Sequence, residues 1–184
     1  MRWRTAVSQC LEPLPASPDW PRYSPRPFPQ HRFVPGISQQ RPYRDGHSHR
    51  EASYPLACFA DGWQANATYL YAVDLYNFAY WWECHEQFET LWRAAGRKSE
   101  PGQYFQGLIQ IAAANLKRFV GLPHAANNLW RRGLEQFNRI PSRYMGLDVL
   151  LFTEEVRSYF ELSQPSPPLI RLMFTDKVPR SDRS

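Results

Sequence analysis

No apolar run in the sequence approaches the roughly 18 residues needed to span a bilayer, because Arg, Glu, Asp or Gln interrupts every candidate stretch. A membrane span is excluded on that ground. Cysteine is scarce: Cys10, Cys58 and Cys84 are an odd count at wide spacing, with no CxxC pair and no disulfide framework. That usage points to a reducing cytoplasm. Arg2 and Arg4 lie near the start, but no apolar core of signal-peptide length precedes Glu12 and Pro13. Secretion is therefore not supported, and the Pro-dense stretch beyond makes a poor amphipathic transit peptide. Strand-like alternation of useful length is missing, and so is any internal repeat.

What the 184 residues do contain is 17 Pro, 7 Trp, 10 Tyr and 11 Phe, with 43% hydrophobic and 21% charged residues. Those are globular proportions, and the length suits one aromatic-rich domain with appendages. The charge is unevenly placed. Residues 1–50 hold 8 Arg, no Lys and 3 acids (Glu12, Asp19, Asp45), a net of +5, whereas residues 51–184 hold 14 basic and 14 acidic residues and net to zero. A nucleic-acid surface shows a basic stripe on the folded body, and this body has none, so nucleic-acid contact is left to the arm alone. The same 50 residues hold 9 of the 17 prolines, which remove backbone donors and restrict their neighbours to extended conformations. Residues 1–50 read as an extended arm. Its second half, from His31 to His49, carries turn punctuation and apolar anchors that allow it to lie ordered on the body.

No proline occurs between Pro55 and Pro101, so helix-length segments can run uninterrupted. Helices are predicted at 62–77, 80–95, 102–120, 124–138 and 149–162. Gly96, Gly121 and Pro141 supply the stops, and Asp148 can cap the last helix. Residues 51–163 thus read as an all-α, compact bundle of about five helices, and residues 164–184, with Pro165, Pro167, Pro168 and Pro179, as a C-terminal tail.

The second predicted helix carries the chemistry. A helical wheel groups Trp81, Phe88, Trp92, His85, Phe78, Glu89 and Trp82 on one arc, expected to face the core, with Glu86 at its edge and Glu83, Gln87 and Thr90 opposite. His85 and Glu89 sit at i and i+4 and can touch. A carboxylate buried there needs a partner or takes up a proton. On the third helix Gln106, Gln110 and Lys117 form a polar stripe, which an antiparallel pairing would bring towards Glu86 and Glu89.

Two readings stay open for His85, Glu86 and Glu89: a metal or acid/base site, or a satisfied polar network that fixes helix register. The spacing misses HExxH by the second His and the Glu-x-x-His of di-iron bundles by one position. Cys84 reads as a small buried hydrophobe, and His31 and His124 as isolated side chains. His47 and His49, at i and i+2, can reach a site if the arm folds over it. Trp63, Tyr69, Tyr76 and Trp130 fall at helical spacing and read as core.

Asp74-Leu75-Tyr76-Asn77, Tyr80-Trp81-Trp82-Glu83-Cys84-His85-Glu86, Leu91-Trp92, Gly107-Leu108-Ile109-Gln110, Ala112-Ala113-Ala114 and Lys117 resemble the signature of the domain of unknown function 309 family. The resemblance is dense from Asp74 to Leu134, and Phe33-Val34-Pro35-Gly36 with Arg44-Asp45-Gly46-His47-Ser48 resembles an upstream extension of some members. Cys84 stands where the family usually has Ala, Ala79 where it has Gly, and Gln39-Gln40 where the extension more often has His-Pro. The resemblance implies a small helical bundle and no biochemical activity. It singles out Glu83, His85, Glu86, Trp92, Gln106, Gln110 and Lys117.

The expectation drawn from these readings is a cytoplasmic helical domain with a pocket. Glu86 or Glu89 would act as base, His85 as its partner and Lys117 as an anion stabiliser, with Trp82, Trp92, Gln106 and Gln110 lining the site for a small molecule. The rival is a structural or protein-interaction module in which the cluster only sets packing and an aromatic groove receives a partner helix or another copy of the chain. No cofactor or metal is assigned by the sequence.

Overall fold

The computed structural model describes residues 12–39 and 60–174. Among them are five α-helices: α1 (Ala67–Asn77), α2 (Trp81–Ala95), α3 (Glu100–Phe119), α4 (Pro123–Phe137) and α5 (Val149–Glu161). The last four lie within two residues of their predicted bounds. The first differs, because a separate 3-10 turn at Trp63–Ala65 precedes it. The break falls at Asn66, whose Oδ1 accepts the Tyr69 N–H at 3.0 Å and so starts a new helix. Asp148 caps α5 as expected, accepting the Leu151 N–H at 3.0 Å.

A feature the sequence reading missed is a minimal hairpin, β1 (Arg143–Tyr144) against β2 (Leu147–Asp148). Its turn residues Met145 and Gly146 both have positive φ, at 46° and 80°, as a two-residue hairpin turn demands. Strands of two residues are too short to show alternation.

Helix α3 is the central element, packed between α2 and α4, with α1 on α2 and α5 on α4. Two glycines allow α3 and α4 to approach closely. A Cβ on Gly107 would meet the Phe137 ring at 2.7 Å, and one on Gly133 would meet Ile111 at 2.9 Å and the Gly107 carbonyl oxygen at 3.2 Å. The core is aromatic, with Tyr69, Tyr76, Phe88, Tyr104, Phe105 and Phe152 buried in full. Two of its tyrosines satisfy each other: the Tyr69 and Tyr104 hydroxyls are 2.7 Å apart, and Tyr69 donates to the Met145 carbonyl at 2.9 Å. Trp63 and Trp130 are also buried.

Residues 12–39 form no helix or strand and run across α1 and the start of α2. Residues 164–174, read from sequence as part of a tail, also lie against the body. Ile170 and Leu172 are buried, and Leu172 bridges to Leu147 of β2.

Candidate functional site

The inward face of α2 is Trp81, Cys84, Phe88, Leu91 and Ala95. That corrects the predicted arc. His85, Glu89, Trp82 and Trp92 are half-buried at its margin. Glu83, expected on the opposite side, is only 4% exposed. A wheel drawn on one helix cannot register a covering segment from elsewhere in the chain, and here the N-terminal segment lies over α2. Phe33 sets its ring edge-on to Trp82 at 5.3 Å and donates its backbone N–H to Glu83 Oε1 at 2.9 Å.

Several of the predicted site residues have partners other than one another. The His85 ring stacks on Trp82 at 6.0 Å, and burial lowers its pKa, so the imidazole is neutral near pH 7. His85 Nδ1 is buried with no hydrogen-bond partner among the described residues, as is Gln110 Oε1. Glu89 is paired with Arg93 at 2.8 Å on the helix surface rather than with His85. Trp92 receives the Arg97 guanidinium over its ring at 4.9 Å. Glu86 and Gln106 are half-buried. Lys117 is exposed, and Gln110 sits against α4, where its Cβ would be 3.4 Å from one added at Gly133. Of the polar stripe of α3, Gln110 thus lies beside Gly133 of α4 and Lys117 is exposed to solvent.

Among the described residues no group of three or more His, Cys, Asp or Glu could hold a metal ion. Cys84 is fully buried, and burial pushes its thiol well above the ordinary range, so it is no nucleophile. Cys10, Cys58, His47 and His49 lie outside the described residues. A cleft of about 270 Å³ opens between the start of α4 and the end of α5, lined by Arg118, His124, Asn127, Trp130 and Phe160 among others, and no predicted site residue faces it.

The polar residues that do converge on something are Asp74, Asn77 and Glu83. All ten residues from Tyr71 to Tyr80 are buried, so any polar side chain among them must find partners inside the protein. Asp74 accepts two successive backbone N–H groups, Tyr23 to Oδ1 and Ser24 to Oδ2, each at 2.8 Å, with the Arg22 guanidinium 3.4 Å away. Burial raises its pKa, and those donors oppose the rise. Asn77 donates to the Ile170 carbonyl at 2.9 Å and accepts the Ile170 N–H at 2.8 Å. Glu83 binds the Phe33 N–H, and burial pushes its pKa up to about 7, since Oε2 has no partner among the described residues. Tyr71 and Tyr80 donate their hydroxyls to the Pro27 and Pro29 carbonyls at 3.0 and 3.1 Å. Arg32 returns a bond to the Phe78 carbonyl at 2.9 Å.

Asp74 and Asn77 stand in the signature Asp74-Leu75-Tyr76-Asn77, which assigns them no role. The available signal was two polar residues within the otherwise apolar run Tyr71 to Tyr80.

No helix of the described residues is long and apolar enough to cross a membrane. A comparison with curated proteins finds no match. Residues 69–129, from the first turn of α1 to the middle of α4, match the family model described as Domain of unknown function (DUF309). That match covers the helices carrying most of the signature read from the sequence, and supports the resemblance to the DUF309 family.

Proposed function

We propose that the chain is a cytoplasmic, non-enzymatic interaction module whose buried signature side chains hold extended polypeptide. One observation carries this reading: Asp74, Asn77 and Glu83 are each hydrogen-bonded to backbone groups of segments outside the helices. Asp74 engages both carboxylate oxygens with peptide N–H groups, Asn77 engages its amide with Ile170, and Glu83 engages Oε1 with Phe33. On this reading the arm of residues 1–50, the body of 51–163 and the tail of 164–184 act as one unit. Limited proteolysis of Asp74→Ala tests it. Cleavage should appear within residues 12–39 while the helical circular dichroism persists, and an uncut arm in a folded variant would contradict the reading.

The second reading, a small-molecule pocket with Glu86 or Glu89 as base, His85 as partner and Lys117 as anion stabiliser, is supported by the unpartnered His85 Nδ1 and Gln110 Oε1. The Glu89–Arg93 pair and the exposure of Lys117 speak against it. Thermal unfolding of His85→Ala and Glu86→Ala separates the two. A group held in a costly state for function gains stability on truncation, whereas a packing role loses it.

A further inference from the structure

The segment clasped by α1 and α2 has the chemistry of a polyproline ligand. Pro25, Pro27 and Pro29 alternate with Ser24, Arg26 and Phe28, and each of those three residues precedes a proline, so every position from 24 to 29 is confined to extended backbone before it docks. Little conformational entropy remains to be lost on binding. The receiving face reads that backbone as aromatic polyproline grooves do, with tyrosine hydroxyls on proline carbonyls and rings alongside. Tyr71 and Tyr80 hold Pro27 and Pro29, and Phe28 stacks on Tyr80 at 4.9 Å and tilts against Phe78 at 4.9 Å. The arginines add a second layer. Arg26 covers the Tyr71 ring at 4.2 Å and Arg32 the Tyr80 ring at 4.4 Å, while Asp74 and Glu83 fix the two ends through Tyr23, Ser24 and Phe33.

All of these contacts join residues 44 to 52 positions apart, from a segment without helix or strand of its own to a helical face. We propose that this face, built from Tyr71, Asp74, Phe78, Tyr80 and Glu83, is a binding groove for an extended, proline-alternating, arginine-bearing segment. Residues 22–33 fill it in cis, and the same arm of a second copy fills it in exchange. The occupant in trans is the second copy because each feature of the groove matches this arm residue by residue, and exchange of an identical element is a low-cost route to a dimer. The inference rests on the interaction-module reading and adds the identity of the partner.

The test uses the full chain with Pro25, Pro27 and Pro29 replaced by Gly, which loosens the cis arm without touching the helices. A fluorescent peptide of residues 20–35 stands for the arm of the second copy. It should bind the loosened chain saturably and at least tenfold more tightly than the wild-type chain, whose tethered arm competes at high effective concentration. The peptide carrying the same three Gly substitutions should bind at least tenfold more weakly. Absence of saturable binding to a loosened chain with unchanged helical circular dichroism, or equal binding of the Gly peptide, overturns the proposal. Should the loosened chain lose its helical signal, differently labelled wild-type chains mixed at high concentration decide. Energy transfer between copies that Asp74→Asn abolishes supports exchange, and its absence overturns it. An arm that protease never releases and that never exchanges would leave the clasp reading intact while ending this one.

Discussion

Asn77 of α1 and Ile170, ninety-three positions later, exchange two hydrogen bonds through one side-chain amide: Nδ2 to the Ile170 carbonyl at 2.9 Å and the Ile170 N–H to Oδ1 at 2.8 Å. The amide serves Ile170 as a neighbouring strand would, and both residues are buried. Replacement Asn77→Ala removes both partners and leaves a buried peptide N–H and carbonyl unpaired, at a cost of roughly 2–4 kcal/mol. Denaturant unfolding of the full chain measures this, and a loss below about 0.5 kcal/mol would mean that water serves Ile170 instead.

Glu83 makes stability depend on pH in a direction opposite to that of a salt-bridged acid. Its folded pKa is raised from 4.5 to about 7 by burial, so between those values the folded state holds a proton that the unfolded state has lost. Stability from this group is fully present below about pH 4.5 and is lost as pH rises through about 7. Asp74 is shifted in the same sense, so the difference between wild type and Glu83→Gln isolates the term. That difference should change by on the order of 1–3 kcal/mol from pH 4.5 to 7.5. A flat difference would show that Glu83 is well solvated.

The Phe137 ring lies directly on Gly107. A Cβ there meets three Phe137 ring atoms at 2.7 to 3.0 Å, and Phe137 is itself buried. Gly107→Ala should therefore cost about 1–3 kcal/mol through overpacking, despite the better helix propensity of Ala. Thermal unfolding reads the sign directly; a stabilised variant would mean that α4 can move away freely.

His85→Phe keeps a ring against Trp82 and removes the unpartnered nitrogen. With the ring contact kept, its stability should lie within about 0.5 kcal/mol of wild type, and a larger gain would favour the pocket reading. Lys117→Ala, at an exposed position, should fall within about 0.5 kcal/mol of wild type. A large loss at either position, measured by chemical denaturation, would restore the network that the sequence suggested.

The helices were legible because their signals are local: Pro-free length, Gly96 and Gly121 at the ends, and Asp148 as a cap. The Asn66 break was not, since an Asn inside an apolar pattern is a cap only when the preceding backbone departs from helix. The site was half legible. His85 and Glu89 drew attention because charge on an aromatic surface is costly, yet Arg93 one turn further on was enough to serve Glu89. Glu83 was assigned to solvent because the residue that covers it, Phe33, lies fifty positions away, and no periodicity within one helix encodes that contact.

Amide hydrogen exchange of the full chain at Tyr23, Ser24 and Phe33 is the most direct test of the clasp. All three amides should be slowed at least about a hundredfold relative to free peptide, with Tyr23 and Ser24 released selectively by Asp74→Ala and Phe33 by Glu83→Ala. Exchange of all three at the free-peptide rate in the wild-type protein would contradict the account, because Asp74 and Glu83 would then be holding nothing.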